Sequence, residues 1–444
     1  MAAVAVAQDP LSFEALTGEL TALMREFPHQ RTGKNSVYTM EEAALGAFSV
    51  FWTQSPSWLD HQRSMEQTKG RSNAQTLFGI ERIPTDNCIR GLLDGVNPRY
   101  LFPMFGQVLG HLQAAGHLEP WRRLDGELLI ARDGTQYHRS QAIHCEHCSK
   151  TEHRNGEVSY SHRVVTPVVV APGRAQVIAL APEFVVPQDG HEKQDCETAA
   201  AKRWIATYGE GLRGLQVTLL GDDLYSRQPL CEAVLEAKLK FIFVAKPSSH
   251  ITLYQWLEGL ERAGAVGTHQ VKWRRGKKHF TDTYRFASQL PLREGAGGLQ
   301  VNWFEIHTTD EAGKTLYHNA WVTPHAVDAG NVAQRVEAGR ARWKVENENN
   351  NTLKTKGYNL THNFGHGENH LSALLVTLNL LAFLLHTVLD LCDRRYQVLR
   401  AALPSRRTFF NDIRALTRYP CFDSLRALFD FMLRGLEIEL PDSS

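Results

Sequence analysis

GELLIARDGT, at residues 126–135, is the stretch of sequence that decides the fold. Its apolar run is short and is followed at once by Asp133 and Gly134, a pattern typical of a buried strand that ends in a turn. LQVTLLGD, at residues 215–222, repeats the pattern and ends at Asp222. A carboxylate at the end of a strand is held in a well-defined position by the sheet. Carboxylate oxygens are also the ligands that divalent cations such as Mg²⁺ prefer. The two stretches therefore predict two strands that each deliver an aspartate to one site.

Further strand-like and helical segments flank these two stretches. HRVVTPVVVA at 162–171 and RAQVIALAPEFV at 174–185 extend the first strand to three consecutive strands. A helix, the Asp222 strand, a second helix and a fifth strand follow at 191–209, 215–222, 229–239 and 240–246. Consecutive strands form a meander, and strand–helix–strand alternation implies parallel crossovers. We expect an α/β (mixed α+β) fold, with a mixed sheet in the element order of a ribonuclease-H-like core.

A third carboxylate, Glu346, lies in a helical stretch at residues 331–357. Spacings of three and four predict one inward face formed by Val332, Val336, Gly339, Trp343, Glu346, Asn350 and Leu353. A carboxylate on such a face needs a partner or a metal ion. Glu348 points roughly 200° away and is expected in solvent. The alternative is a plain helical ion pair between Glu346 and Arg342, one turn earlier.

Composition excludes some classes of protein. The chain has 444 residues, with 49 Lys and Arg against 48 Asp and Glu. The net charge of +1 argues against a uniformly basic nucleic-acid binder and leaves local basic patches open. Seven scattered cysteines indicate reduced thiols. The first ten residues lack the charged and apolar regions of a signal peptide, so we expect a cytoplasmic protein.

The apolar segment at 371–389 is nearly long enough to span a bilayer. Asn379 and His386 within it, and Asp390 after it, argue against exposure to lipid. We therefore expect it to be the buried helix of a large soluble domain.

Two regions carry basic residues that suit DNA binding. Residues 1–120 read as a helical domain with Arg63, Arg82 and Arg90 near its joints, which predicts either a DNA-docking surface or a plain helical bundle with solvated cations. VKWRRGKKHF, at 271–280, combines Trp273 with four cations. Such a stretch can grip a phosphate backbone, or it can be a solvated turn. Its cations are Arg274, Arg275, Lys277 and Lys278.

A possible structural zinc site is incomplete in the sequence. Cys145 and Cys148 form a C-x2-C pair, which suits half of a tetrahedral zinc site. A second pair at standard spacing is missing, because His153 and His162 are nine residues apart. We therefore expect a polar loop with free thiols and no bound Zn²⁺.

Four of these stretches resemble the bacterial insertion-sequence transposases of the DDE type: DGTQY after the first strand, GDDLYS, KFIFVAK, and RWKVE followed by LKTKG. The resemblance covers roughly residues 120–390. It implies that Asp133, Asp222 and Glu346 are the catalytic, metal-binding triad. It also implies a ribonuclease-H-like core at 121–249 and 331–395, a β-rich insertion at 250–330, and a helical C-terminal region at 396–444.

The resemblance is incomplete on the glutamate helix. A subgroup of the family has the signature Tyr-x2-Arg-x3-Glu-x6-Lys. Arg342 and Glu346 fit it, but Gly339 stands at the tyrosine position, and Lys354 comes one residue after the lysine position. Asp223 directly follows Asp222 and could be mistaken for the ligand.

The resemblance implies Mg²⁺-dependent cleavage of transposon ends, with Mn²⁺ as a substitute ion, and strand transfer into target DNA by a homodimer bound to double-stranded DNA. Arg342, Lys354 and Lys356 would contact that DNA. Two alternatives remain open at this stage: a catalytically inactive DNA-binding descendant, and another nuclease of ribonuclease-H-like fold.

Overall fold

The computed structural model describes residues 9–28, 37–66, 71–187 and 195–440. Most of the first ten residues, where no signal peptide is expected, lie outside these ranges. Six helices open the described chain, as the sequence predicts: α1 (Phe13–Arg25), α2 (Met40–Trp52), α3 (Trp58–Glu66), α4 (Asn73–Phe78), α5 (Asp86–Leu93) and α6 (Phe102–Ala114). Helix α2 begins at a capping box in which Thr39 and Glu42 satisfy each other's backbone N–H groups.

A mixed nine-stranded sheet forms the centre of the molecule. Its strands are β1 (Leu128–Ala131), β5 (Val168–Val170), β6 (Ile178–Ala179), β8 (Val217–Gly221), β9 (Lys240–Val244), β10 (Gly267–Arg275), β11 (Lys278–Pro291), β12 (Gln300–Asp310) and β13 (Thr315–Thr323). Their order across the sheet is β10-β11-β12-β13-β9-β8-β1-β5-β6.

Five strands of this sheet, β1, β5, β6, β8 and β9, combine antiparallel and parallel pairing. β1 pairs antiparallel with β5, and β5 pairs antiparallel with β6. β8 lies between β1 and β9 and is parallel to both. Two crossover helices make the parallel connections possible: α7 (Glu197–Leu212) precedes β8, and α8 (Gln228–Glu236) joins β8 to β9. The fold is therefore of the mixed α/β class, with its apolar core on both faces of the sheet.

The second and third predicted strands are each divided between two sheets. A smaller sheet holds β2 (Gly134–Ser140), β3 (Ser149–Glu152), β4 (Val158–Val165) and β7 (Glu183–Val185), with β4 paired to the other three. The predicted strand at 162–171 leaves this sheet at Thr166 and Pro167, and continues as β5 in the main sheet. Proline lacks an N–H group to continue a ladder, which suits a crossing point between two sheets.

The region at 250–330 extends the main sheet. After helix α9 (Ile251–Arg262), strands β10 to β13 form an antiparallel series, and β13 pairs antiparallel with β9. The β-rich character expected for this region is present, and its strands continue the sheet beyond β9.

The helix predicted at 331–357 is interrupted. Helix α10 (Val332–Arg340) ends in a turn, a π-helical segment covers Val345–Asn350, and α11 (Asn351–Thr355) follows. The turn after Arg340 already moves the following side chains off the α-helical stripe, and the π-helical segment moves them further, because a π turn holds more residues per turn than an α turn. Trp343 is 45% exposed rather than inward-facing, so the expected stripe does not extend through it.

Helix α12 (Leu371–Cys392) is long and apolar enough to cross a membrane. Within the protein, however, 89% of its most apolar window is buried, and it packs against α2 and β6. That burial is typical of the core helix of a soluble protein. The chain then continues through α13 (Arg394–Ala402), α14 (Arg406–Arg418) and α15 (Leu425–Gly435).

Candidate active site at the ends of two parallel strands

Asp133 and Asp222 lie side by side at the carboxyl ends of β1 and β8. The two strands are parallel neighbours, and Ala131 is paired with Leu220. Each aspartate comes two residues after its member of that pair. Because the two strands are parallel and paired at this register, both carboxylates lie at the same edge of the sheet. Both side chains are partly exposed there.

Glu197 contacts the turn after Asp133. It was not among the site residues expected from the sequence. It lies in the first turn of α7 and accepts hydrogen bonds from the Gly134 N–H at 3.0 Å and the Tyr225 hydroxyl at 2.6 Å. A Cβ atom at position 134 would come within 2.2 Å of the Glu197 carboxylate. A larger residue at 134 would therefore displace the Glu197 carboxylate from this position.

The π-helical segment brings Glu346 and Asn350 to the same place. The Asn350 amide is 3.4 Å from an Asp133 carboxylate oxygen, and its own oxygen accepts a bond from the Thr166 hydroxyl at 2.9 Å. Thr166 also donates its backbone N–H to the Asp133 carbonyl. Glu346 is partly exposed and close enough for its charge to act on Asp133. π-Helical turns often occur at functional sites.

The charges at this edge of the sheet act together on Asp133. Burial, followed by the negative charges of Glu197, Asp222 and Glu346, raises the pKa of Asp133 to about 7, and the positive charge of Arg342 opposes this rise. A carboxyl group whose pKa is raised by burial and by neighbouring carboxylates is typical of a functional site.

Asp222 and Asp223 have different environments. Asp222 caps its own turn through a bond from the Leu224 N–H at 2.9 Å. The Asp223 carboxylate turns away to the loop after β9, where it accepts bonds from the Lys246 N–H at 2.7 Å and the Ser249 hydroxyl at 2.6 Å. Asp223 therefore stabilises a loop, and Asp222 is the aspartate whose charge acts on Asp133.

Two cations border the acidic group. The Arg342 guanidinium packs 4.6 Å from the Trp343 ring and acts on Asp133. Lys354 lies on the same side: burial lowers its pKa, and the charge of Asp133 opposes that lowering. On the inner side, Arg132 is fully buried between the Tyr225 and Trp204 rings, and its guanidinium has no hydrogen-bond partner among the described residues.

Asp133, Asp222 and Glu346 do not form one compact cluster of potential metal ligands. Among the described residues, the group of three or more potential metal ligands whose atoms all lie within 4.8 Å of one another is a different one, built from cysteines and histidines. At least one pair among the carboxylates of Asp133, Asp222 and Glu346 is therefore more than 4.8 Å apart. This is compatible with ligands shared between two ions, which in two-metal sites stand about 3.5–4 Å apart.

The other predicted DNA-binding residues lie away from this group. The hairpin cations Arg274, Arg275, Lys277 and Lys278 are exposed at the turn between β10 and β11. Because β10 is six strands from β1, the hairpin is displaced by roughly 30 Å across the sheet. Its turn also extends beyond the end of β9, since Phe286 rather than the turn is level with Val244. Lys356 is exposed and lines a different cleft together with Glu348.

In the N-terminal helices, Arg90 makes intramolecular contacts, which fits the plain-bundle interpretation for this residue. Its guanidinium donates to the Phe364 carbonyl at 3.0 Å and lies 3.4 Å from Asp86.

Cys145 and Cys148, half of the incomplete zinc motif, lie at the start of β3 close to His162 and His366. The sequence offered no signal for His366, because it is distant along the chain. Glu197 was equally hidden, since one glutamate in an ordinary first helical turn has no local signature.

No protein-family model matches the sequence, and no curated protein sequence matches it significantly. A functional interpretation must therefore stand on the geometry and chemistry of this site.

Proposed function

We propose that the chain is a metal-dependent DNA transposase of the DDE type, which cleaves DNA at transposon ends and transfers the strands into target DNA. The observation that carries the proposal is the shared register of Asp133 and Asp222 on parallel neighbouring strands, with the charge of Glu346 acting on Asp133. A protein that only bound DNA would gain nothing from carboxylates that repel both each other and phosphate.

The strand order supports a ribonuclease-H-like core. Numbered along the chain, the strands β1, β5, β6, β8 and β9 lie in the order 3-2-1-4-5 across the sheet. The first three form an antiparallel meander, and the last two are parallel to the first. This is the arrangement expected from the sequence for such a core, with its carboxylates at the ends of the first and fourth strands.

The donor set suits Mg²⁺ or Mn²⁺. Asp133, Asp222 and Glu346 offer hard carboxylate oxygens and partly exposed positions, which leaves room for water and substrate phosphate. Bound divalent ions would supply Lewis-acid activation of an attacking water or 3′-hydroxyl and stabilisation of the leaving oxygen.

The protein's own groups would position the substrate. Asn350, anchored by Thr166, orients the Asp133 carboxylate. Arg342 and Lys354, on the side of the acidic group, supply positive charge for a DNA phosphate next to the scissile bond. Glu197, held by Tyr225, adds negative charge at the site and favours cation binding.

The exposed hairpin between β10 and β11 supports a second, sequence-independent contact with DNA. Its four cations are displaced from the acidic group by six strand spacings, roughly 30 Å, across the sheet and also by the length of the hairpin that extends beyond β9. A duplex that contacted both would therefore span more than about ten base pairs. Processing of two transposon ends requires two active sites, and we therefore propose a homodimer assembled on DNA.

The test uses purified full-length protein with a duplex that carries the DNA flanking its gene. We expect Mg²⁺-dependent nicking at a fixed position and, with a target plasmid, joined products. Chelation by EDTA should stop both reactions, and Mn²⁺ should restore them. Calcium ions should support binding without cleavage.

The outcomes separate the alternatives. Binding without cleavage in either Mg²⁺ or Mn²⁺ would indicate an inactive descendant. Cleavage of flanking and unrelated duplexes alike, without joining, would indicate a general nuclease and contradict a transposase.

A further inference from the structure

A second cluster of reactive side chains lies away from the carboxylates. It contains Cys145 and Cys148 in the turn before β3, His162 in β4, and His366 in the loop before α12. Cys148, His162 and His366 are buried, and Cys145 is partly exposed. The two cysteine thiols are not joined, since their sulfurs are 4.0 Å apart.

The distances between the four side chains match those around one tetrahedral ion. Zinc bond lengths near 2.3 Å to sulfur and 2.0–2.1 Å to nitrogen require separations of about 3.8 Å between sulfurs, about 3.5 Å between sulfur and nitrogen, and about 3.3 Å between nitrogens. The corresponding distances are 4.0 Å between the sulfurs, 3.4–3.5 Å for three sulfur–nitrogen pairs, and 3.1 Å between the Nε2 atoms of His162 and His366.

Both histidines present the correct nitrogen to the cluster. His366 Nδ1 is 2.7 Å from the Gly367 carbonyl. A carbonyl only accepts, so Nδ1 must carry the proton and Nε2 keeps its lone pair. The His162 ring also hydrogen bonds to the backbone of His147 and stacks on Tyr137 at a 9° interplanar angle. Ligand histidines are usually oriented by outer contacts of this kind.

The two cysteines lie in one short hydrogen-bonded turn. The Cys148 N–H donates to the Cys145 carbonyl at 3.2 Å, and the Cys145 N–H lies 3.5 Å from the Cys148 sulfur. Both thiols therefore converge on the histidine nitrogens from one short turn. Two sulfur and two nitrogen donors in a buried tetrahedron select zinc over magnesium or calcium.

We propose that Cys145, Cys148, His162 and His366 bind one structural zinc ion. The sequence expectation of an empty loop rested on the missing second ligand pair. The structure supplies that pair from residues 204 positions apart, His162 and His366. With four protein ligands, the site has no open position for a substrate, so its role is structural.

The ion would join three parts of the chain. β4 carries His162 and ends next to Thr166, which contacts Asp133 and Asn350. The loop that follows His366 is fixed by Asp94 of the N-terminal helical region, whose carboxylate accepts the Glu368 and Leu371 N–H groups. The zinc would thus fasten the smaller sheet to the N-terminal helices and to α12.

The experiment measures metal content and ligand type in the full-length protein. Protein expressed with zinc and purified without chelators should contain close to one equivalent of zinc. After removal of zinc, Co²⁺ should bind and give the intense visible absorption of a tetrahedral site with thiolate ligands. Chelation should also lower the melting temperature measurably, because a ligand that binds the folded state stabilises it.

Two variants test the assignment of individual ligands. Cys148→Ser should abolish zinc retention. His366→Ala should lower zinc affinity by more than the roughly 10–100-fold that loss of an outer-shell partner costs, and it should shift the Co²⁺ spectrum while the sulfur charge-transfer band remains. The matched controls are Cys196→Ser, at an exposed cysteine, and His144→Ala, beside Cys145 in sequence but outside the cluster. Both controls should retain zinc.

Three results would overturn the proposal. The first is wild-type protein that contains no zinc and takes up no Co²⁺. The second is a Cys145–Cys148 disulfide in protein purified under nitrogen. The third is zinc that survives in folded His366→Ala with an unchanged Co²⁺ spectrum.

Discussion

Asp133 and Asp222 follow neighbouring parallel strands at the same register, each two residues beyond the paired residues Ala131 and Leu220. A slip of one residue in either strand would turn one carboxylate to the other face of the sheet. The pairing of β1 with β8 therefore fixes which acidic residues can share a cation, although 89 residues separate them in sequence.

The first prediction concerns the two adjacent aspartates after β8. Asp222→Ala, like Asp133→Ala, should abolish DNA cleavage while leaving DNA binding intact or tighter, because a cation ligand is removed and repulsion of phosphate is relieved. Cleavage assays and binding titrations in Ca²⁺ would measure the two effects separately.

Asp223→Asn is the matched control for this pair. It weakens the bonds to Lys246 and Ser249 and should cost about 1–3 kcal/mol of stability. Folded Asp223→Asn protein should still cleave. Cleavage by Asp222→Ala in Mg²⁺ would refute the assignment.

The second prediction concerns the hairpin between β10 and β11. Replacing its four cations by glutamine should weaken DNA binding equally for all sequences. It should also reduce the slope of log affinity against log salt by about 0.9 for each phosphate that the protein no longer neutralises. Cleavage at saturating DNA should persist, since the hairpin is remote from the carboxylates.

Neutralising Arg426 and Arg434, which are exposed on α15, is the control for this experiment. An equal loss of affinity in this control would show that the hairpin has no special role in DNA binding.

Local patterns in the sequence predicted the strands of the site well. A short apolar run that ends in Asp-Gly or Asp-Asp is a local signal for a strand end, and the helix between the two runs indicates a parallel connection. The position of β8 beside β1, rather than beside β6, depends on tertiary packing. The buried state of α12 also followed from its own composition, because Asn379 and His386 are poor neighbours for lipid.

Features that depend on distant parts of the chain could not be predicted in this way. Gly339 packs closely against β13, where a Cβ atom at position 339 would lie 2.7 Å from the Trp321 indole nitrogen. The exposure of Trp343 follows from the end of α10 at Arg340 and the turn after it, which helical periodicity does not reveal. His366 joins Cys145 and Cys148 only through tertiary packing.

The third prediction concerns pH and the buried His61. Its ring lies 2.8 Å from the Ser49 hydroxyl and 3.2 Å from those of Thr53 and Ser55, and burial lowers its pKa from 6.5 to about 3. Between pH 3 and pH 6.5, the His61 ring binds a proton in the unfolded chain but stays neutral in the folded chain. The contribution of neutral His61 to the free energy of unfolding is therefore fully present above pH 6.5 and is lost as the pH falls toward 3.

Denaturant unfolding at several pH values would measure this effect. Below pH 6.5, the free energy of unfolding should fall less steeply with pH in His61→Gln than in the wild type, by up to about 1.4 kcal/mol per pH unit. His279→Gln, at an exposed position on the hairpin, is the control and should leave the wild-type slope. An identical slope in folded His61→Gln protein would contradict the prediction.

The last prediction separates Glu346 from Glu348, two acidic residues of the same π-helical segment. The charge of Glu346 acts on Asp133. Glu348 instead lies 3.7 Å from Lys344 and borders the cleft that contains Lys356 and Asp390. Glu346→Gln keeps the shape of the side chain and removes a cation ligand, so it should reduce cleavage by several orders of magnitude with the fold intact.

Glu348→Gln removes a partly exposed ion pair with Lys344, and such pairs contribute little. We expect a reduction in cleavage rate of less than about tenfold, which corresponds to roughly 1.4 kcal/mol in the barrier. Single-turnover cleavage at saturating Mg²⁺ measures both variants on one scale. Because the π-helical segment sets the direction of both side chains, an inactive Glu348→Gln beside an active Glu346→Gln would reassign the third ligand to position 348.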